Sequence, residues 1–242
     1  MAVDRQRCVL YTCITNDYDE LTTVRPSIGI DYVCFTDGSV QETWNGWTMR
    51  RTPSNIGRGA FLNRYVKMHP HQFFPEHMTS IYVDGNVKVL DDPRELAEGA
   101  LNRGDIALYE HPFRSCVYCE AAECSAIGYD WVWRINRQLS RYEKEGYPRN
   151  HGLYEANVII RRHLVGAVQR MMEAWWHEYQ YGVRRDQLSL PYISWKYGVP
   201  IVSLGPSDVR SGGRYFQLRE GHVRAPSLIG RGRGWMNRIL SR

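Results

Sequence analysis

The chain has 242 residues, 43% of them apolar and 12% aromatic, which suffices to bury the core of one α/β domain and excludes a disordered body. No run of about 18 apolar residues occurs and the opening MAVDRQRCVLYTC lacks a secretory apolar stretch, so a spanning helix is excluded and a cytoplasmic protein is expected. The net charge of +5 is uneven: from Gly205 to Arg242 eight Arg face two acids, leaving +6 there and −1 on the body, which argues against a dedicated nucleic-acid-binding fold.

In chain order, CVLYTCIT (Cys8 to Thr15) reads as a buried strand stopped by Asn16-Asp17, and DYVCFT (Asp31 to Thr36) as a second, stopped by Asp37-Gly38. Arg58 to His69 carries Phe61, Leu62, Tyr65 and Met68 at helical spacing and is closed by Pro70. SIYVD (Ser80 to Asp84) is a third buried strand. DDPRELAEGAL then opens a helix with Asp91 or Asp92 as N-cap and Pro93 in the first turn. IALYE (Ile106 to Glu110) and ANVIIRR (Ala156 to Arg162) are the fourth and fifth strands. A helix from His163 to Tyr181 aligns Leu164, Val168, Met171, Met172, Trp175 and Tyr179, with Gly182 past its end. Another runs from near Asp186 to Gly198, with Pro191 expected to kink or shorten it.

Alternating strands and helices imply a Rossmann-type, mostly parallel sheet with helices on both faces. The expected organisation is a single domain over 1–204 and a basic segment over 205–242, partly packed on the domain or flexible. In such sheets ligands bind beyond the carboxyl ends of the strands, which directs attention to Asn16-Asp17, Asp37 and Asp84-Gly85-Asn86. Asp84 and Asn86 offer hard oxygen ligands on one side of a turn, and Gly85 leaves room for a diphosphate; Mn²⁺ or Mg²⁺ takes one or two protein oxygens in such a site. The alternative is an ordinary D-G-N hairpin turn. Arg64 and Lys67 share a helical face that would clamp a diphosphate or be solvated. Asp186, in Arg185-Asp186-Gln187, is a helix cap or a carboxylate that orients or deprotonates an acceptor hydroxyl, and Glu155 is a second such candidate. Cys116 and Cys119 have metal-knuckle spacing without a second pair, so they and Cys124 read as free thiols; Cys8, Cys13 and Cys34 read as core thiols. Trp175 and Trp176 read as core rather than as a sugar platform.

These blocks resemble the TOD1/MUCI70-type glycosyltransferase-like domains from about Cys8 to Tyr197. The residues that carry the resemblance are Tyr11-Thr12, Asn16-Asp17-Tyr18-Asp19, Asp31 to Asp37, Asn45-Gly46-Trp47, Arg64 to Lys67, Ile81 to Asn86, His111 to Arg114, Gly152 to Glu155, Trp175-Trp176 and Arg185 to Ser189. The resemblance implies a GT-A fold with a D-x-D-like metal motif at Asp84 and Asn86. It implies that Thr12, Asn16, Asp17, Tyr18 and Asp37 face the base and ribose of a nucleoside-diphosphate sugar, a UDP-sugar foremost. It also implies that Arg64, Lys67, Gly85 and Arg185 lie at the phosphates, with His222 as a third metal ligand and Glu120 as a local acid. The expected reaction is transfer of a sugar to a hydroxyl of a glycan or polysaccharide. The alternatives are a transferase for modified nucleic-acid bases and a degenerate carbohydrate-binding module. The basic tail, with Leu228, Ile229, Trp235, Met236, Ile239 and Leu240 among its Arg residues, would touch an anionic membrane or nucleic acid, or be solvated.

Overall fold

The computed structural model describes residues 7–39, 41–219 and 228–240. At its centre lies β1 (Cys8–Ile14), with all seven side chains buried. A strand with no exposed face must be covered on both sides, and its continuous apolar run supplies both. β1 pairs in parallel with β2 (Ile30–Thr36) and, on its other side, with β5 (Thr79–Val83). Next to β2, also parallel, is β4 (Trp47–Arg51), which folds back on the short edge strand β3 (Thr43–Trp44). Asn45 and Gly46 make that turn with φ of 52° and 86°, the positive pair a tight two-residue hairpin needs.

Beyond β5 the direction reverses. β8 (Tyr154–Arg161) lies antiparallel between β5 and β7 (Ile106–Glu110), and β9 (Val202–Pro206) adds parallel to β7. The order is therefore β3-β4-β2-β1-β5-β8-β7-β9, with only β3 and β8 opposed to the rest. The sheet is mostly parallel as expected, but its fifth expected strand runs the other way.

Alternate residues of β1 serve two cores. Val9, Tyr11 and Cys13 meet α1 (Gly59–Met68), α4 (Val117–Ala126), α5 (Val132–Lys144), α6 (Gly166–Tyr181) and α7 (Asp186–Tyr197), together with the aromatics around the one-turn α2 (Pro70–Phe73). Cys8, Leu10 and Ile14 meet α3 (Arg94–Leu101) and a two-stranded sheet of β6 (Val87–Val89) and β10 (Phe216–Leu218). Helices thus cover both faces, most of them on one.

Three local expectations change. Pro93 caps α3 rather than entering its first turn, while Asp92 Oδ1 accepts from the Arg94 amide at 3.0 Å. Pro191 sits inside an unbroken α7, buried where packing offsets the lost hydrogen bond, and Gly198 ends the helix with φ 64°. The boundary expected after Leu204 falls inside β9, and the chain beyond it is built in: Phe216 is fully buried, and Arg219 pairs with Glu20 at 2.8 Å.

The end of the tail forms α8 (Leu228–Leu240). Among the described residues two side chains dock it, and Arg233 Nη1 donates to the Tyr129 carbonyl at 2.8 Å. Asn237, 1% exposed, accepts from the Val132 amide and donates to the Ser125 and Asp130 carbonyls, each at 2.9 Å. The approach is close: a Cβ on Gly234 would lie 2.7 Å from the Ala126 carbonyl oxygen. Trp235, Met236, Ile239 and Leu240 face outward. Asn237→Ala is expected to lower the unfolding free energy by about 1–3 kcal/mol, because the buried Val132 amide at the start of α5 loses its acceptor. A urea melt reads this as a lower midpoint at unchanged slope; an unmoved midpoint would discount the docking. No helix among the described residues is long and apolar enough to cross a membrane.

Candidate active site

The site forms where β1, β2 and β5 end. Tyr82, buried in β5, donates its hydroxyl to Asp84 Oδ1 at 2.9 Å, and the Asp84 amide continues the ladder by donating to the Asn157 carbonyl at 2.9 Å. Asp84-Gly85-Asn86 is a turn, closed by the Val87 amide on the Asp84 carbonyl at 2.9 Å, but not a hairpin: it carries the chain from the large sheet to the small one. Only glycine fits its middle, since a Cβ at Gly85 would lie 2.8 Å from Asp19 Oδ2 and 2.9 Å from Ile14 Cγ1.

Behind Asp84 lies a compact charge network. Lys67 Nζ, fully buried, is 2.8 Å from Asp186 Oδ2 and 3.4 Å from Asp84 Oδ1. Arg64 Nε is 3.0 Å from the same Asp186 oxygen. Burial opposes ionisation of Asp186, yet Lys67, Arg64 and Arg185 outweigh it and hold the carboxyl well below the usual range. Arg64 is correspondingly held above its ordinary value, burial being outweighed by Asp186 and Asp84. Asp186 is the first residue of α7 rather than its cap, because its side chain turns toward the two cations; Trp175, buried as expected, donates Nε1 to its carbonyl at 3.1 Å. Lys67 is thus enclosed and braces Asp84, and the phosphate contact expected of it does not fit its burial. Arg64, with a quarter of its side chain exposed, remains available.

Two further clusters adjoin it. Glu120 of α4, 1% exposed, binds Arg114 Nε at 2.6 Å and Arg185 Nη2 at 3.0 Å. His111 accepts the Phe113 and Arg114 amides on Nδ1 at 3.3 and 3.2 Å, which places its proton on Nε2. Burial, aided by Arg114 and Arg185 against Glu120 and Glu155, lowers its pKa and so favours the neutral ring. Glu155, also 1% exposed, takes the Arg210 guanidinium at 2.7 Å and the hydroxyl of Ser207 at 2.5 Å. Both candidate carboxylates are thus ion-paired, Asp186 to Lys67 and Arg64 and Glu155 to Arg210.

At the ends of β1 and β2, Asn16 and Asp17 adopt left-handed φ of 55° and 47°, and the Asn16 amide donates to Asp37 Oδ1 at 2.9 Å. Asn16 also packs on the start of α1: a Cβ at Gly59 would lie 2.8 Å from its Nδ2. Tyr18, 47% exposed, stands beside this group in the chain. Thr12 does not join it: it is 1% exposed inside β1, opposite Cys34, so the expected nucleotide contact fails on burial. A cleft of about 420 Å³, lined by Glu110, His111, Phe113, Arg114, Asn150 and Tyr154 among others, opens beside Glu120. A larger groove, of about 830 Å³, lies between α5, α6 and α7 and includes none of the expected residues.

Among the described residues no group of three or more His, Cys, Asp or Glu is arranged to hold a metal, and His222 lies outside the described residues. Asp84 and Asn86 nonetheless fit a cation whose remaining ligands come from phosphate. Both bonds described for the Asp84 carboxylate use Oδ1, leaving Oδ2 for a ligand, and the Asn86 side chain is half-buried with no described partner. Carboxylate and amide oxygens suit Mn²⁺ or Mg²⁺.

Arg161 went unread. It is wholly buried at the end of β8, where it donates to the Lys67 carbonyl at 2.6 Å and to the Tyr11 hydroxyl, fixing the helix end that bears Lys67. A strand-terminal arginine looks like a solvated end, and no sequence signal marks it otherwise.

Comparison with known proteins bears on this arrangement. Over 162 residues the chain is 26% identical to the probable hexosyltransferase MUCI70 of Arabidopsis thaliana, an alignment covering 62% of this chain and 27% of that protein's length. The chain therefore spans about a quarter of that relative. Its fold matches a crystal structure of an active-site mutant of LgtC with a TM-score of 0.50 at 12% identity, covering 96% of this chain and 95% of that one. The pattern of the TOD1/MUCI70 glycosyltransferase-like domain matches residues 61–203, well over half of the chain and the stretch that includes Arg64, Lys67, Asp84, Glu120 and Asp186. With that match and the α/β fold, the chain belongs to the TOD1/MUCI70 glycosyltransferase-like domain family.

Proposed function

We propose that the chain is a metal-dependent glycosyltransferase that moves a sugar from a nucleoside-diphosphate sugar to a hydroxyl of a glycan or polysaccharide. The observation that carries this reading is the Asp84–Lys67–Asp186–Arg64 network, set at the carboxyl ends of the strands in a chain of this family. Asn16, Asp17 and Asp37 take the base and ribose, a UDP-sugar foremost. Arg64 faces the phosphates, while Lys67 braces Asp84 and makes no phosphate contact. A divalent cation on Asp84 and Asn86 supplies neutralisation of charge on the departing diphosphate. The cleft of His111, Phe113, Arg114 and Tyr154 admits the acceptor. Because Asp186 and Glu155 are each held by cations, they orient groups rather than take protons, and the acceptor proton leaves with the diphosphate.

The test is calorimetric titration of UDP-, GDP- and CMP-sugars with Mn²⁺, followed by turnover with glycan acceptors. Asp84→Ala is expected to weaken metal-dependent donor binding at least about tenfold, near 1.4 kcal/mol, with the far-UV spectrum unchanged. Equal binding by the variant would remove the metal assignment. Wild-type protein that binds none of the donors would leave a carbohydrate-binding module as the better account.

A further inference from the structure

Cys116 and Cys119 stand apart from the other cysteines. Cys116 caps the amino end of α4 with its side chain buried, and Cys119, one turn on, is exposed. The Asn150 amide, arriving from the loop before β8, donates to Cys116 Sγ at 3.5 Å. Burial alone would raise the Cys116 pKa; the amides of Asn150, Cys119 and Tyr118 and the Cys119 thiol outweigh it and lower it. Cys119 moves the opposite way, chiefly through the charge on Cys116. Cys116 is therefore the more readily ionised of the two sulfurs and Cys119 the more readily reached. Elsewhere burial pushes Cys8, Cys34 and Cys124 up to about 12 and Cys13 well above its ordinary value, so those thiols are inert.

Residues three apart at a helix start have Cα atoms roughly 5–6 Å apart, inside the window that a disulfide spans without moving the backbone. We propose that Cys116 and Cys119 form a reversible dithiol–disulfide pair that exchanges with low-molecular-weight disulfides of the glutathione type. The Cys116 sulfur takes the proton of Cys119, and the exposed Cys119 thiolate attacks one sulfur of the reagent, forming a mixed disulfide and expelling one thiolate. That thiolate takes the proton from Cys116. The Cys116 thiolate then attacks the Cys119 sulfur, expelling the second thiolate, which takes up a proton from solvent. The pair is oxidised by two electrons and the reagent is reduced to two thiols. The residue after Cys119 is Glu120, which holds Arg114 and Arg185, so the state of the pair is felt one residue from the candidate site.

The experiment treats the folded full chain at neutral pH with graded ratios of glutathione disulfide to glutathione, followed by acid quenching and peptide mass mapping. Wild type is expected to lose two hydrogens in the peptide that holds both residues and to keep no glutathione, while Cys8, Cys13, Cys34 and Cys124 stay reduced. Cys116→Ser is expected to retain one glutathione on Cys119, because nothing resolves it, and Cys119→Ser to take up little. Three results would overturn the proposal: stable glutathione on Cys119 of the wild type, no reaction at any ratio, or oxidation only where circular dichroism shows unfolding.

Discussion

Asp186→Ala is expected to lower the free energy of unfolding by about 3–5 kcal/mol, the range for removing one partner of a buried ion pair. Asp186 is 5% exposed and the Lys67 side chain wholly enclosed. Without the aspartate, Lys67 keeps only the longer contact to Asp84, and Arg64 loses the carboxylate 3.0 Å away. The loss belongs to stranded cations rather than to a missing attraction, and a second substitution separates the two. Lys67→Met on the Asp186→Ala background should restore a large part of the stability, since an apolar chain of similar length needs no counter-ion. Urea unfolding of wild type, single and double variants reads both effects. A single-variant change below about 1 kcal/mol, or a double variant no better than the single, would contradict this account. The folded-state pKa of Asp186 is depressed, so its contribution is present above the usual carboxylate range and is lost as pH falls through and below it.

A second large effect lies nearer neutrality. His163 is fully buried between β8 and α6, and its Nε2–H donates to the Phe74 carbonyl at 2.9 Å. Burial pushes its pKa down to about 4; the Arg161, His77 and His71 charges act in the same direction, and the Phe74 carbonyl acts against them. The unfolded chain, with an ordinary imidazole near 6.5, takes a proton before the folded one does. Stability from this residue is therefore complete above pH 6.5 and is lost as pH falls toward 4, by about 3 kcal/mol in all. Unfolding free energy measured across that window should drop more steeply for wild type than for His163→Gln, which can still donate to Phe74. His69 and His111, also depressed by burial, are common to both proteins and cancel in the difference. Parallel profiles would discard His163 as the acid-sensitive group.

The strands were legible where burial is complete on both faces: β1, β2, β5 and β7 are continuous apolar runs between turn residues, and each lies within about one residue of its expected place. Their directions were less so. β8 has the same all-buried texture whether it runs up or down, because a central strand of either sense needs apolar cover on both sides. α4 and α5 passed unread. In the site, Arg64 and Lys67 were placed on one face of α1, and that face was read as a diphosphate clamp or a solvated surface. What turns it inward is Asp186, 119 positions away, and no local pattern encodes that partner. Asp84 held its expected place at a strand end, whereas Thr12 was placed by resemblance although its position inside a buried strand argued against it.

The reversed strand also orders the chain in time. β5 and β7 both leave the ribosome before β8; β5 can already pair with β1, but its other edge and β7 wait for β8 to slot between them, and β9 completes the far side of β7. Until residue 161 has emerged, the nascent chain carries two apolar strands, β5 open on one edge and β7 on both. Fragments cut between β7 and β8 should thus aggregate rather than fold, and any division of this protein into expressible halves has to keep β5, β7 and β8 on the same side of the cut.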